Sequence, residues 1–589
     1  LSPMIAWWIN LPIIKKSAKL NPDQIKLLRL VSRRTWGFFE RFVGPEDHWL
    51  PPDHFQEKPI GTVAHRTSPT NIGLLLTSTL AAYDLGYLDQ RTLAIRLATT
   101  LETLSQLERF RGHFLNWYDT VTLQPLNPRY VSTVDSGNLA ACLMITSQAC
   151  KNKRNETILR WNLWEGYLDS LGNLADGLNA IRKKDFDRQI KEIDALIKGI
   201  SNEILAARSH PENWYPLFLK VKGFFWQDIS NRLQQLITVG GSSFDLETLN
   251  KLQEFSRQIE QHNLAIERTI TELLPWIPLF ENPPRLFRQP QFSEAMNSLR
   301  SCLPYDLAFG QLHDHIEKAS LYIEDLKDCL SEKSEASQPP KDSEESDRNI
   351  AWEWLNQLIT LLDHAEVNAN GMIAQYENIM ARSEQLMNEM DFGFLYNKQR
   401  HVFHIGLNLV TGQLDQNFYD LLASEARIAS IIAIAKGDVP QSHWMQLGRP
   451  ITRIKNLYVL LSWSGTMFEY LMPALFFHSY PATLLAESSE GAVLRQIEYG
   501  KEKGVPWGIS ESGFYRFDAS QNYQYRAFGV PGLGFKRGLA DDLVIAPYAS
   551  LMAVSYEPEA VVQSLIRLLE YKMFGVFGVY EATDLTPDR

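Results

Sequence analysis

The chain has 589 residues, 45% hydrophobic and 22% charged, the make-up of a globular protein with more than one core. Its net charge of −11 excludes an electrostatic nucleic-acid binder, which needs a basic surface. The four cysteines, Cys142, Cys150, Cys302 and Cys329, form no CxxC pair; no metal site is expected, and so sparse a set fits a reducing compartment.

The opening LSPMIAWWINLPIIKK is too short to span a bilayer and lacks the basic start of a signal peptide. Trp7 and Trp8 followed by Lys15 and Lys16 suit either a membrane interface or a packed loop, and the start at Leu1 reads as a fragment of a longer protein. Apolar spacing predicts helices over 22–43, 70–87, 90–108 and 135–149, the last with Asp135 as its N-cap. From 151 the chain turns rich in Leu, Ile, Glu, Lys, Gln and Asn, and reads as an inserted block of amphipathic helices. Residues 331–349 lack apolar side chains and are expected to form a mobile loop before a long helix over about 350–388. Short strands with Asn-Lys and Thr-Gly turns follow from 391, then helices at about 416–436, 464–478, 487–503, 540–553 and 557–571. Helices amphipathic in sequential pairs close into a two-layer helical barrel whose loops build a site at one end.

Two glutamates stand out in those loops. Glu511 lies in VPWGISESGFYRFD, beside Trp507, where Ser512 replaces the second glycine of a G-x-S-x-G elbow, so a serine nucleophile is not supported. Glu425 falls within the predicted helix 416–436, four residues after Leu421 and three before Ile428, and so faces the apolar side. Burial there would raise its pKa, as a general acid requires, unless it serves in a structural ion pair. GVPGLGFKRG (529–538) fits neither the dinucleotide fingerprint nor the P-loop, and offers Lys536 and the nearby Asp541 as polar candidates. The loop 114–138 gathers Trp117, Tyr118, Asp119, Tyr130 and Asp135, and 65–73 adds Arg66. His443, Trp444 and Trp463 are further loop candidates, whereas His401 and His404 point to opposite faces of a strand and do not read as metal ligands.

Several separated motifs together are specific. HRTSPTNIGL, NWYDTVTLQPLNPRYVSTVDSGNL, the FLYN and HIG stretches, LLASEAR, and WGISESGFYRFD followed by YRAFGVPGLGFKRGLADDLVIAPYAS resemble the middle, glycoamylase-like domain of cyclic β-1,2-glucan synthases, over about 26–150 and 388–589. The resemblance implies a mainly α chain, an (α/α)6 barrel with a large helical insertion and a few short strands. On this reading 1–25 is a linker after a membrane region, 26–150 and 388–589 are the two parts of the barrel, and 151–387 is the insertion. It implies a transglycosylase that cuts linear β-1,2-glucan and rejoins it into a ring with retention of configuration, using Glu511 as nucleophile and Glu425 as acid/base and no cofactor. Trp507, Tyr515, Tyr525 and Phe528 join the loop residues above as candidate substrate contacts. The implied partners are the glycosyltransferase and phosphorylase-like regions of the same polypeptide, with the membrane reached only through flanking segments and the domain on the cytoplasmic side of a bacterial inner membrane. An inverting endo-β-1,2-glucanase and a silent glucan-binding domain are the alternatives.

Overall fold

The computed structural model describes Met4 and residues 19–59, 61–182, 186–240, 244–332, 342–519 and 521–587. The opening tryptophans and lysines, and residues 333–341 of the expected loop, lie outside the described residues. Among the described residues no helix is long and apolar enough to cross a membrane. The chain divides into two compact units: one comprises Ser32–Asp420 and Ile428–Leu447, the other Leu1–Val31, Leu421–Arg427 and Gly448–Arg589.

In the first unit, Ser68 caps Pro69–Asp84 by accepting from Asn71 N at 3.1 Å, and Asp89 caps Gln90–Leu104 by accepting from Thr92 N at 2.6 Å. The third helix starts two residues before its expected N-cap. It runs Thr133–Lys153, and Ser132, not Asp135, is the cap, accepting from Asp135 N at 3.2 Å. This helix is buried on nearly all sides and packs between Pro69–Asp84 and the long helix Asp342–Glu389.

The 48 residues of Asp342–Glu389 span about 72 Å. Buried side chains recur three and four residues apart from Leu355 through Leu358, Leu362, Ala365, Ala369 and Met372, a heptad stripe along which the helix packs on several neighbours. The helix begins at Asp342, so the last eight residues assigned to a mobile loop are helical. Once a helix is nucleated by its apolar part, polar residues extend it at little cost, and acidic ones suit its first turns.

The short strands are where the turn signals place them. Tyr396–Asn397 pairs with Val402–His404, which pairs with Phe418–Tyr419, and Gly406–Asn408 lies between Tyr130–Ser132 and Gln413–Leu414. His404 Nδ1 meets the Asp415 carbonyl at 2.6 Å and His401 Nδ1 the Tyr396 hydroxyl at 3.0 Å, so both rings serve this sheet.

Gly137 shows how closely the buried helix is packed. A Cβ there would stand 2.6–2.7 Å from the N, Cα and Cβ of Ala429. Alanine in a helix normally gains about 0.5–1 kcal/mol over glycine. Overpacking costs about 1–3 kcal/mol, and here the obstructing atoms are backbone that cannot swing aside. Gly137→Ala is therefore expected to lower the urea midpoint of unfolding, against its helix propensity.

The second unit is built on Leu484–Lys503, capped by Thr483, ended by Gly504, and packed on the hairpin Ile451–Ile454/Leu457–Leu460. Two predicted helices are much shorter than expected. Residues 464–478 hold only Met467–Leu471 and a 3-10 turn, and 540–553 hold only Pro547–Leu551 after the strand Val544–Ile545. Pro473 and Pro547 limit helix in each.

Candidate active site

The WGISE segment belongs to the second unit and is fastened on every side. The Trp507 indole donates to the Ala560 carbonyl at 3.2 Å, and Ser564 Oγ donates to the Trp507 carbonyl at 3.2 Å. Gln496 brackets Ile509, donating to its carbonyl at 2.7 Å and accepting from its N–H at 2.8 Å. Gly508 has φ +129°, a conformation left to glycine, and its carbonyl accepts from Ala546 N at 2.8 Å. Ser510 is fully buried with its Oγ accepting from Phe468 N at 3.1 Å, so it is a structural serine and not an exposed nucleophile.

This rigid segment delivers Glu511 to the start of the strand Ser512–Phe517. Burial pushes its carboxyl up to about 7; the negative charge of Glu469 adds to that, and Lys536 opposes it. Tyr548 donates its hydroxyl to the Glu511 carbonyl oxygen at 2.7 Å.

Glu425 is not in a helix. The helix begins at Arg427, and Glu425 sits half-buried in the turn before it. The cause is local: Leu421 makes a parallel bridge to Gly448, Leu422 N donates to the Gly448 carbonyl at 3.0 Å, and Ser424 Oγ accepts from Ala426 N at 3.2 Å. The helical spacing argument for its facing therefore fails, although the residue remains close to the site. Arg427 is buried and donates to three carbonyls, Ser424 at 3.0 Å, Glu469 at 2.9 Å and Tyr470 at 2.7 Å. Burial pushes its pKa down to about 10, and the Tyr556, Tyr470, Glu469 and Glu425 side chains oppose that shift.

Tyr548 connects the two glutamates. Its phenol is raised above the usual range by burial, against a Ser510 hydrogen bond, with the charges of Glu511, Glu581 and Glu425 all adding. One tyrosine thus lies within electrostatic reach of both carboxyls that the sequence singles out.

Exposed rings accompany them in this unit. Trp463 is 42% exposed and Tyr525 57% exposed, and the Trp463 and Phe535 ring centres are 5.8 Å apart. Tyr515 is exposed on the strand. The glycine loop is braided onto the Trp463 segment, with Lys536 N donating to the Trp463 carbonyl at 2.9 Å and Ser462 N to the Leu533 carbonyl at 3.0 Å. The side chain of Lys536 is exposed, as is Asp541.

A match to the Glycoamylase family model covers residues 417–589. The whole chain is 32% identical, over 595 aligned residues, to the cyclic β-(1,2)-glucan synthase NdvB of Rhizobium meliloti, of which it spans 18%. The chain fits a domain of a cyclic β-(1,2)-glucan synthase. The described residues are mainly α-helical with a few short strands, as the sequence leads one to expect. Among solved structures, an endo-β-1,2-glucanase of Chitinophaga pinensis in complex with sophorotriose and glucose is 12% identical with a TM-score of 0.46, over 96% of this chain and 88% of that one. An endo-β-1,2-glucanase of Talaromyces funiculosus in complex with sophorose is 10% identical with a TM-score of 0.46, over 96% and 80%.

Four expected substrate contacts prove to be core. Trp507 and Phe528 are buried, and Phe528 instead carries the Arg526 guanidinium 4.6 Å above its ring, which pairs with buried Asp542. In the first unit Tyr118 is fully buried, its hydroxyl donating to the Glu108 carbonyl at 2.6 Å and accepting from Leu115 N at 2.7 Å. His443 is fully buried between the His401 carbonyl and Ser430 Oγ, each at 2.8 Å.

The other first-unit candidates keep a polar face. Arg66 is exposed, pairs with Asp53 at 2.9 Å and stacks 5.1 Å over half-buried Trp117. Asp119 holds a turn by accepting from Val121 N and Thr122 N, at 3.0 and 2.7 Å. The Tyr130 hydroxyl donates to Asp415. Asp135 accepts from Thr70 Oγ1 at 2.6 Å and from the Asn116 amide at 2.8 Å, and burial raises its pKa. Trp444 is half-buried.

Sequence reasoning missed Glu469 and Glu581. Glu469 carries the Thr-x-x-Glu signature of a capping box, which explains it as a helix start and conceals its second effect on Glu511. Glu581 accepts from Gly513 N at 2.8 Å, and it lies in a stretch after the last helix with no pattern to mark it.

Proposed function

We propose that this domain is a β-1,2-glucan transglycosylase, which cleaves linear β-1,2-glucan and rejoins it into a ring with retention of configuration. The observation that carries the reading is the pair of carboxyls around Tyr548, one of them pushed up to about 7 and so protonated in a useful range. The likeness to a cyclic β-(1,2)-glucan synthase supports β-1,2-glucan as the substrate.

The roles we propose are the reverse of those expected from the sequence. Glu511, desolvated and facing Glu469, suits the proton donor. Glu425, the second carboxyl within electrostatic reach of Tyr548, then takes the role of nucleophile. A Glu425 oxygen attacks the anomeric carbon, the glycosidic bond breaks, and the departing oxygen takes the Glu511 proton. Glu511, now a carboxylate, accepts a proton from a sugar hydroxyl, whose oxygen displaces Glu425. Trp463, Tyr515 and Tyr525 offer faces for sugar rings, with Lys536 and Asp541 as polar contacts. Arg66, Trp117, Asp119, Tyr130, Asp135 and Trp444 are kept as candidate substrate contacts.

The remaining length of the related synthase leaves room for the glycosyltransferase and phosphorylase-like regions, and we place the domain on the cytoplasmic side of an inner membrane as part of such a protein. The test is incubation with linear β-1,2-glucan and mass analysis. Rings lighter than the linear chain by one water, with little new reducing end, are expected. Steady release of short reducing oligosaccharides instead would make the domain an endo-glucanase, and binding without any product would make it a glucan-binding module.

A further inference from the structure

Trp463 and Phe535 stand side by side, with ring centres 5.8 Å apart and ring planes tilted by 56°. Both residues are exposed, 42% and 46%. Their backbones are nevertheless held firmly. Ser462 N donates to the Leu533 carbonyl at 3.0 Å, Phe535 N to the Ser462 carbonyl at 3.1 Å and Lys536 N to the Trp463 carbonyl at 2.9 Å. The two segments lie so close that a Cβ at Gly534 would stand 2.6 Å from Gly465 N and from the Ser464 carbonyl carbon. A Cβ at Gly529 would stand 1.9 Å from the Ser464 carbonyl oxygen. Two large rings fixed by so much backbone and left in water have the form of a binding surface, not of a core.

The turn that carries Trp463 is wrapped around a buried carboxylate. Glu469 accepts from Ser462 Oγ at 2.8 Å, Ser464 N at 3.2 Å, Thr466 N at 3.1 Å and Thr466 Oγ1 at 3.3 Å. The bond from Thr466 N belongs to the helix cap. Those from Ser462 and Ser464, on either side of Trp463, do not. They set the path of residues 462–466.

We propose that Trp463 and Phe535 form a two-ring platform for a glucosyl unit of the bound glucan, and that Glu469 is the positioning residue that sets it. The ring hydroxyls of a β-glucosyl unit are equatorial, so its two faces are apolar C–H surfaces that lie well against aromatic rings. Lys536, next to Phe535 in the chain and exposed, offers a donor to a hydroxyl at the rim. The proposal rests on the reading of this domain as one that acts on β-1,2-glucan, and is independent of which glutamate attacks carbon.

The test is calorimetric titration of the Glu511→Gln chain with linear β-1,2-glucan, a background in which the glucan survives the measurement. Phe535→Leu, which keeps apolar bulk and loses the ring, is expected to weaken binding by about two- to tenfold, and Trp463→Ala by at least about tenfold. Glu469→Gln turns an amide N–H toward donors and is expected to weaken binding by about two- to tenfold. Once Trp463→Ala is present it is expected to cost nothing further, because it acts through that ring. A merely structural role would weaken binding by the same factor in both backgrounds, and that result overturns the positioning role. Should Glu469→Gln not fold, Ser462→Ala removes one donor to the carboxylate and is expected to act in the same direction, by less. Binding that Phe535→Leu and Trp463→Ala leave unchanged overturns the platform and leaves the substrate in place. A parent chain with no affinity for linear β-1,2-glucan overturns the substrate reading, and the platform with it.

Discussion

Glu511→Gln is expected to lower turnover of linear β-1,2-glucan by about 10²–10⁴-fold, since the amide holds the shape of the acid but has no proton to give to the departing oxygen. Stability is expected to hold or rise, and the sign follows from proton binding. The carboxyl is pushed from 4.5 to about 7 by folding, so between those values the native state holds a proton that the unfolded state has released. Native stability therefore falls as pH rises through that window, and glutamine removes the loss. Melting temperatures at pH 7 and above, compared with turnover in the same preparations, check both halves. Near-normal turnover in a folded variant would take Glu511 out of the mechanism.

The long-range parts of this chain were the easiest to read. The stretch over about 350–388 announces a long helix, and Asn-Lys and Thr-Gly turns place the short strands near 396–414. The site was legible as residue types but not as directions. Glu425 sits in an apolar run that reads as helix, yet a bridge from Leu421 to Gly448 draws the segment off the helical path, and no local pattern encodes that partner. Tyr118, Trp507, Phe528 and His443 have the chemistry of a sugar platform and the burial of a core, because an aromatic ring in a loop carries no periodicity to say which way it faces. Glu469 was hidden for the opposite reason: its capping box is a complete local explanation, and only the tertiary fold brings its charge to bear on Glu511.

The order of roles is decided at Glu425. Glu425→Ala is expected to lower turnover by at least about 10³-fold, because no other group would capture the anomeric carbon. The residue is half-buried in a turn whose backbone is fixed by its neighbours Leu422 and Ser424, so truncation leaves the segment in place. Added azide then serves as a probe of the vacated space. If Glu425 is the nucleophile, azide attacks carbon from the face that the carboxylate held, the glycosidic oxygen leaves with the Glu511 proton, and the product is an α-glycosyl azide, inverted from the β-linked substrate. If Glu425 is instead the acid/base, the nucleophile still forms the glycosyl-enzyme, azide performs the second displacement, and two inversions give the β-azide. The anomeric configuration of the azide product, read by the coupling constant of its anomeric proton, separates the two. The α product is expected on the proposed roles, because burial and the charge of Glu469 favour the acid form of Glu511.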